Sequence, residues 1–163
     1  RQMCIRDRNY GGNLSEHTVW LLERSIKTLF LRVKAQNKNA QKIADFLHVN
    51  DNVKSVYYPG LESHPQHELA KRQMNGFGGM LSFLIKEEKK SDEFTRFLKI
   101  IKPAMSLGAV ESTITSPSLT SHSKISKEKR EKFGISDGLL RFSVGIEDYE
   151  DLKNDLTQAF EKI

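Results

Sequence analysis

Gly134-Ile135-Ser136-Asp137-Gly138-Leu139-Leu140-Arg141-Phe142-Ser143-Val144-Gly145-Ile146-Glu147-Asp148 is the stretch that decides the fold. Two glycines punctuate its start, as loop residues do. An apolar run of strand length follows, rich in residues that suit a pleated surface. Extended backbone alternates its side chains, so Leu140, Phe142, Val144 and Ile146 are expected on one face. Leu139, Arg141, Ser143 and Gly145 fall on the other. An arginine in mid-strand is the anomaly, because its guanidinium stays charged and offers a planar fork of donors that matches a carboxylate or a phosphate. The plain alternative is an edge-strand arginine pointing into water. Ser143 and Gly145, both short, are expected to leave room for a ligand on the arginine's own face.

Outward from this strand, helix and strand patterns alternate, which places the chain in the mixed α/β (α+β) class. Ser15 suits the N-cap of a long helical pattern carrying Val19, Leu22, Ile26, Leu29, Val33, Ala40, Ile43 and Leu47. A kink is expected near Thr28 to Leu31, and the apolar stripe is expected to be core. Val53–Tyr58 reads as a strand closed by Pro59-Gly60, Pro65 to about Gln73 as a short helix, and Met80–Ile85 as a strand. Ser91 is expected to cap a helix burying Phe94, Phe97 and Leu98. Lys102–Pro117 is mostly irregular, with a short strand at Val110–Ile114. Ser126 caps a helix to Phe133 that Gly134 stops. Asp148 caps a last helix with Leu152, Leu156, Ala159 and Ile163 inward, its acidic first turn matching the helix dipole.

Composition narrows the function. The 163 residues are 37% hydrophobic and 29% charged, enough for one domain with a core of its own. No apolar run approaches the ~20 residues of a membrane span, and the charged start has no apolar signal region. The single cysteine, Cys4, fits a reducing compartment and hence a cytoplasmic location. Net charge is +5, of which the three arginines and one aspartate among residues 1–8 supply +2. The remainder is dispersed among glutamates, which argues against a nucleic-acid surface. Residues 1–8 lack periodicity and read as a foreign leader, with residues 9–163 as the domain proper. His64, His67 and His122 do not make a convergent metal set and there is no HExxH. Gly76-Phe77-Gly78-Gly79 precedes a strand, so it is not a dinucleotide loop. Ser121-His122 would point apart in extended chain. Lys102-Pro103-Ala104-Met105-Ser106-Leu107-Gly108-Ala109-Val110-Glu111-Ser112 joins small residues, a hydroxyl and a glycine in one loop. Paired with Arg141, it suggests a carboxylate-binding set of guanidinium fork and Ser106 contact. A freestanding binding module for a carboxylate or a nucleic acid is the competing class.

Several ordered segments resemble the Cys/Met-metabolism enzymes that use pyridoxal 5′-phosphate, the trans-sulfuration family of cystathionine γ-synthase, cystathionine γ-lyase and methionine γ-lyase. They are Leu22-Glu23-Arg24-Ser25-Ile26-Lys27-Thr28-Leu29, Asn39-Ala40-Gln41-Lys42-Ile43-Ala44, Tyr58-Pro59-Gly60-Leu61, Gly76 to Phe83, Ser106-Leu107-Gly108 and Gly134 to Asp148. The resemblance runs from Gly11 to Ile163 and implies the C-terminal domain of a fold-type I enzyme, with a small, mainly antiparallel sheet flanked by helices. It implies a cofactor lysine in a larger N-terminal part; neither Lys27 nor Lys102 fits that motif, so the chain reads as a fragment, inactive by itself. It also implies that Arg141 holds the substrate α-carboxylate with Ser106 assisting, and that Met105 and Leu107 border the substrate. The substrate is expected to be a sulfur amino acid or an activated homoserine ester, undergoing γ-elimination or γ-replacement. The full-length enzyme is expected to be a cytoplasmic homotetramer without membrane or nucleic-acid partners. Many cystathionine-handling members carry glutamate immediately before the serine. Met105 has no charge there, which points to a less polar distal group.

Overall fold

The structure, a computed structural model, describes residues 13–163. The leader expected at residues 1–8 and the Gly11-Gly12 loop lie outside the described residues. The chain divides into two compact units, Arg1–Arg32 and Val33–Ile163.

In the first unit, α1 spans Glu16–Ile26, and Ser15 Oγ accepts from the Thr18 N–H as its N-cap. The kink is a break: α1 ends at Ile26 and α2 (Leu29–His48) begins after Lys27 and Thr28. Thr28 Oγ1 donates to the Ser25 carbonyl at 3.3 Å and Arg32 Nη2 to the same oxygen at 2.7 Å, which satisfies the carbonyl that the interruption frees. The apolar stripe of α1, expected to be core, is not. Val19, Leu22 and Ile26 are about half exposed and α1 has no buried residue. Among the described residues of this unit there is no second layer to cover it.

The second unit carries the core. Ala40, Ile43 and Leu47 of α2 are fully buried, as the spacing predicts, whereas Leu29 and Val33 of the same expected stripe are exposed. The strands are β1 (Val53–Tyr57), β2 (Met80–Ile85), β3 (Lys102–Pro103), β4 (Thr113–Thr115) and β5 (Leu139–Ser143). The helices are α3 (His67–Gln73), α4 (Ser91–Phe97), α5 (Lys127–Lys132) and α6 (Tyr149–Phe160), with a 3-10 turn at Glu88–Lys90. The sheet order is β1-β2-β5-β4-β3. All neighbours are antiparallel except β3 and β4, which are parallel, so the sheet is mainly antiparallel as expected. β5 is therefore the central strand, and Arg141 is not an edge-strand arginine.

Register sorts the side chains. Phe142 lies opposite Leu81 and Ile114, and Leu140 opposite Phe83, so these share one face. That face is buried: each of the five is at most 2% exposed. Phe94 of α4 and Phe160 of α6 cover it, with ring centroids 4.5 Å apart and Phe83 edge-on to Phe94 at 6.2 Å. Such pairs add about 0.5–1.5 kcal/mol beyond area burial. At the flank Tyr58 is buried, and its hydroxyl donates to the Gly78 carbonyl at 2.9 Å. Burial, with Asp45 adding to it, pushes this phenol up to about 12.

Several boundaries differ from expectation. The strand expected at Val110–Ile114 is β4, Thr113–Thr115: the Val110 carbonyl accepts from Ile146 and the Ser112 N–H and hydroxyl are held by Glu147, both in the chain after β5, while the Ser112 carbonyl accepts from Lys102 of β3. Ile146 leaves the apolar face: β5 stops at Ser143, and the Ile146 N–H donates to the Val110 carbonyl at 2.8 Å, leaving its side chain exposed. Ser91 does not cap α4 but begins it, its hydroxyl donating to the Asp137 carbonyl at 2.8 Å. The helix expected from Pro65 starts at His67. Asp148 does cap α6, its carboxylate accepting from the Glu150 N–H at 2.8 Å.

Candidate functional site

Arg141 lies on the sheet face opposite the core. Ser82 and Thr115 are its register partners on β2 and β4, and Thr113 is the partner of Ser143. Directly opposed residues in an antiparallel pair share a face. Alternation along β5 then puts Arg141, Ser143, Ser82, Thr113 and Thr115 on one polar, hydroxyl-rich surface. The start of β5 is fixed by an ion cluster. Arg130, buried, donates to Asp137 Oδ1 at 2.9 Å, and Lys127 meets Oδ2 at 2.9 Å. The hydrogen bonds from Lys127 and then Arg130 hold the Asp137 carboxyl below its ordinary range, and those to Asp137 raise the Lys127 ammonium.

The expected partner of Arg141 is present but makes its contact differently. Arg141 Nη2 donates to the Met105 carbonyl at 2.7 Å and to the Ser106 carbonyl at 3.5 Å. The turn thus meets the guanidinium through its main chain, where the sequence suggested the Ser106 hydroxyl. Arg141 Nε is buried without a hydrogen-bond partner. Met105, Ser106 and Leu107 are exposed. Beside them opens a groove of about 340 Å³, whose lining includes Pro103, Met105, Ile114, Thr115 and Leu119.

The room expected next to Ser143 and Gly145 is filled by this same turn. Ser143 Oγ accepts from the Gly108 N–H at 2.9 Å. A Cβ on Gly145 would run into the Val110 carbonyl oxygen and lie 2.7 Å from the Glu111 carbonyl carbon. Only glycine permits that approach. The turn's remaining polar groups are met in the same way. Thr113 Oγ1 donates to the Ser106 carbonyl at 2.7 Å, and Gln36 Nε2 donates to the Ala109 carbonyl at 2.8 Å. Glu147 accepts from both the N–H and the hydroxyl of Ser112, and that hydroxyl accepts from the Gly145 N–H at 2.9 Å. Upstream, Asp155 accepts from the N–H groups of Lys99, Ile100 and Ile101 at 2.8–2.9 Å, setting where β3 begins. None of Gln36, Thr113, Glu147 or Asp155 stands out in the sequence. The one legible sign was parity, which puts Ser143 on the face of Arg141.

The histidines are engaged locally. His67 Nδ1 is 2.8 Å from the Pro59 carbonyl with its ring stacked on Phe77, and His64 Nδ1 accepts from the Gln66 N–H. His122 Nδ1 is 2.8 Å from Ser121 Oγ on an exposed turn. Among the described residues no group of three metal-ligating side chains converges.

The family described as Cys/Met metabolism PLP-dependent enzyme matches residues 1–161. The chain belongs to that family. It is 53% identical over 153 residues to the cystathionine gamma-lyase of Bacillus subtilis (strain 168), covering 94% of this chain and 40% of the relative. It is 51% identical over 152 residues to the cystathionine beta-lyase of Lactococcus lactis subsp. cremoris (strain MG1363), covering 93% and 40%. The crystal structure of cystathionine gamma-lyase from Lactobacillus plantarum complexed with L-serine superposes with a TM-score of 0.88 at 42% identity, over 95% of this chain and 41% of that one. The chain therefore spans about two fifths of the length of these members.

Membership in a pyridoxal-phosphate family raises the question of which residues here suit the cofactor. Those converging at Arg141 are hydroxyls, carbonyls and one guanidinium, with no lysine among them. Lys27 pairs with Glu23 at 3.0 Å, and Lys102 Nζ donates to the Lys99 carbonyl at 3.2 Å. This donor set fits a carboxylate and does not fit the aldehyde of the cofactor.

Proposed function

We propose that this chain supplies the carboxylate grip of a pyridoxal-phosphate enzyme acting on sulfur amino acids or activated homoserine. The reaction class is γ-elimination or γ-replacement. Arg141 holds the substrate α-carboxylate, the Met105-Ser106-Leu107 turn borders the substrate, and the cofactor is held by a separate, N-terminal part of a cytoplasmic homotetramer. By itself the segment would be inactive.

The observation that carries this reading is the meeting of Arg141 with the Met105–Ser106 turn while its Nε remains buried and unpartnered. The half-buried guanidinium keeps donors beyond the one given to Met105, and a carboxylate matches that fork in charge and geometry. Orientation follows, since fixing the acid end fixes which bonds at the α-carbon face the reacting centre. Met105 lines a groove with Pro103 and Leu119, which suit a thioether or an ester, and the carboxylate in that lining, Asp92, is paired with Arg96 at 2.6 Å.

The test uses the full-length parent enzyme with L-methionine, an acylated homoserine and L-cystathionine. The less polar pair should be preferred, and Met105→Glu should shift preference toward cystathionine. Arg141→Lys should raise KM for each at least about tenfold, since a charge-assisted fork contributes roughly 1.5–3 kcal/mol. A strong preference of the unaltered enzyme for cystathionine would refute the distal-group reading. An unchanged KM in Arg141→Lys would refute the carboxylate grip.

A further inference from the structure

We infer that Ser143 and Thr113 are positioning residues for substrate recognition, holding the Met105–Gly108 turn at a fixed place over Arg141; this rests on the carboxylate reading of Arg141. Three neighbouring side chains on one sheet face grip the turn at successive points. Arg141 takes the Met105 carbonyl at 2.7 Å, Thr113 the Ser106 carbonyl at 2.7 Å, and Ser143 the Gly108 N–H at 2.9 Å. Arg141 and Ser143 are two residues apart on β5, and Thr113 is the cross-strand partner of Ser143. The footprint is therefore as rigid as the central strand pair itself.

Its polarity adds to the case. Thr113 and Ser143 are at most 4% exposed, whereas the residues they hold, Ser106 and Gly108, are exposed. Buried hydroxyls thus fix a solvent-facing turn from beneath. Gly108 has φ +74°, a left-handed conformation, and its N–H is turned down to the Ser143 hydroxyl. Once the Ser143 acceptor is gone, that N–H has no partner under the turn and the turn can lift. A turn that lifts carries the Met105 carbonyl off Arg141 and frees the guanidinium to swing, so the spacing between fork and turn is lost. Loss of spacing weakens the grip on an acid group specifically.

The test has two readouts. In this chain, amide hydrogen exchange should show the Gly108 N–H protected. Ser143→Ala should speed its exchange about tenfold or more, while the Ile101 N–H, held by Asp155, keeps its rate. In the cofactor-loaded parent, Ser143→Ala and the near-isosteric Thr113→Val should each weaken L-methionine binding several-fold and leave L-methioninamide binding unchanged. Thr113→Val carries the same test should Ser143→Ala fail to fold. Equal weakening of acid and amide would mean a merely structural role and overturn the inference, as would unchanged Gly108 exchange. Arg141→Ala separates the two readings. If it abolishes the preference for the acid while Ser143→Ala and Thr113→Val do not reduce it, only the positioning role falls. If Arg141→Ala leaves that preference intact, the carboxylate reading falls and takes this inference with it.

Discussion

Asp155 is the residue whose replacement tests the architecture most severely. It is 4% exposed on α6, and its two carboxylate oxygens accept from three consecutive backbone N–H groups, those of Lys99, Ile100 and Ile101. Gln158 Nε2 adds a contact at 3.2 Å to Oδ1 while donating to the Phe97 carbonyl at 2.6 Å. The carboxylate thus closes the connection between α4 and β3 as an acceptor that faces donors alone. Asp155→Asn keeps the size and shape but halves the acceptor capacity and turns an NH₂ toward N–H groups. At least one buried donor loses its partner and another faces a donor. A hydrogen bond to a charged group contributes roughly 1.5–3 kcal/mol, and an unsatisfied buried one costs about 1–3 kcal/mol. Because the losses are not additive, the expected destabilisation is about 2–4 kcal/mol. At roughly 2–4 °C per kcal/mol for a chain of this size, the melting temperature should drop by about 5–15 °C. Urea unfolding followed by far-ultraviolet circular dichroism measures the first quantity, and a thermal scan the second. A change below about 0.5 kcal/mol would refute the reasoning, since it would mean that the three N–H groups find equal partners without the charge.

Two further predictions concern the strand and the turn. The Asp137 carboxyl is held below its ordinary range, chiefly by Lys127 and next by Arg130, so the stability it contributes is fully present above about pH 4, its unfolded value, and is lost as pH falls through its lower folded value. Asp137→Asn should therefore flatten the acid limb of a stability–pH curve below about pH 4; an unaltered limb would count against the cluster. The two glycines of the site should behave differently. Gly108→Ala meets open space and suffers only its φ of +74°, about 1–2 kcal/mol, whereas Gly145→Ala collides with the Val110 and Glu111 backbone and should also displace the turn. Urea unfolding, with the Gly108 amide shift as the local reporter, separates the two.

The fold was legible where one physical rule acted alone. Periodicity marked Ala40, Ile43 and Leu47 and the alternating Leu140, Phe142 and Val144, and all six are buried. Capping chemistry marked Ser15 and Asp148, whose side chains accept the expected N–H groups. The reading failed where side chains compete with the backbone. Ser91 has the composition of a cap, yet its hydroxyl is drawn to Asp137, 46 residues away. Val110 suits a strand, but its carbonyl belongs to Ile146. Such bonds depend on which segments tertiary structure brings together, and local sequence carries no record of that. The apolar stripe of α1 marks the same limit from the other side, since periodicity identifies a face to be covered without identifying its cover.

The site divides along the same line. A charged fork on an apolar strand is visible without coordinates, because the anomaly lies within five residues. That Arg141 reaches Met105 and Ser106 follows from β5 being central and lying beside β4, which no spacing reveals. The shortness of Ser143 and Gly145 suggested vacancy, and the opposite physical use was found. Both are small so that another segment can come close, one receiving the Gly108 N–H and the other the Val110 carbonyl. Small residues beside a mid-strand arginine thus report close approach, and the approaching body can be the protein's own chain. Under the proposed carboxylate reading, the space for the ligand then lies above the turn, where Met105, Ser106 and Leu107 are exposed, and not beneath it, where Ser143 and Gly145 are already covered.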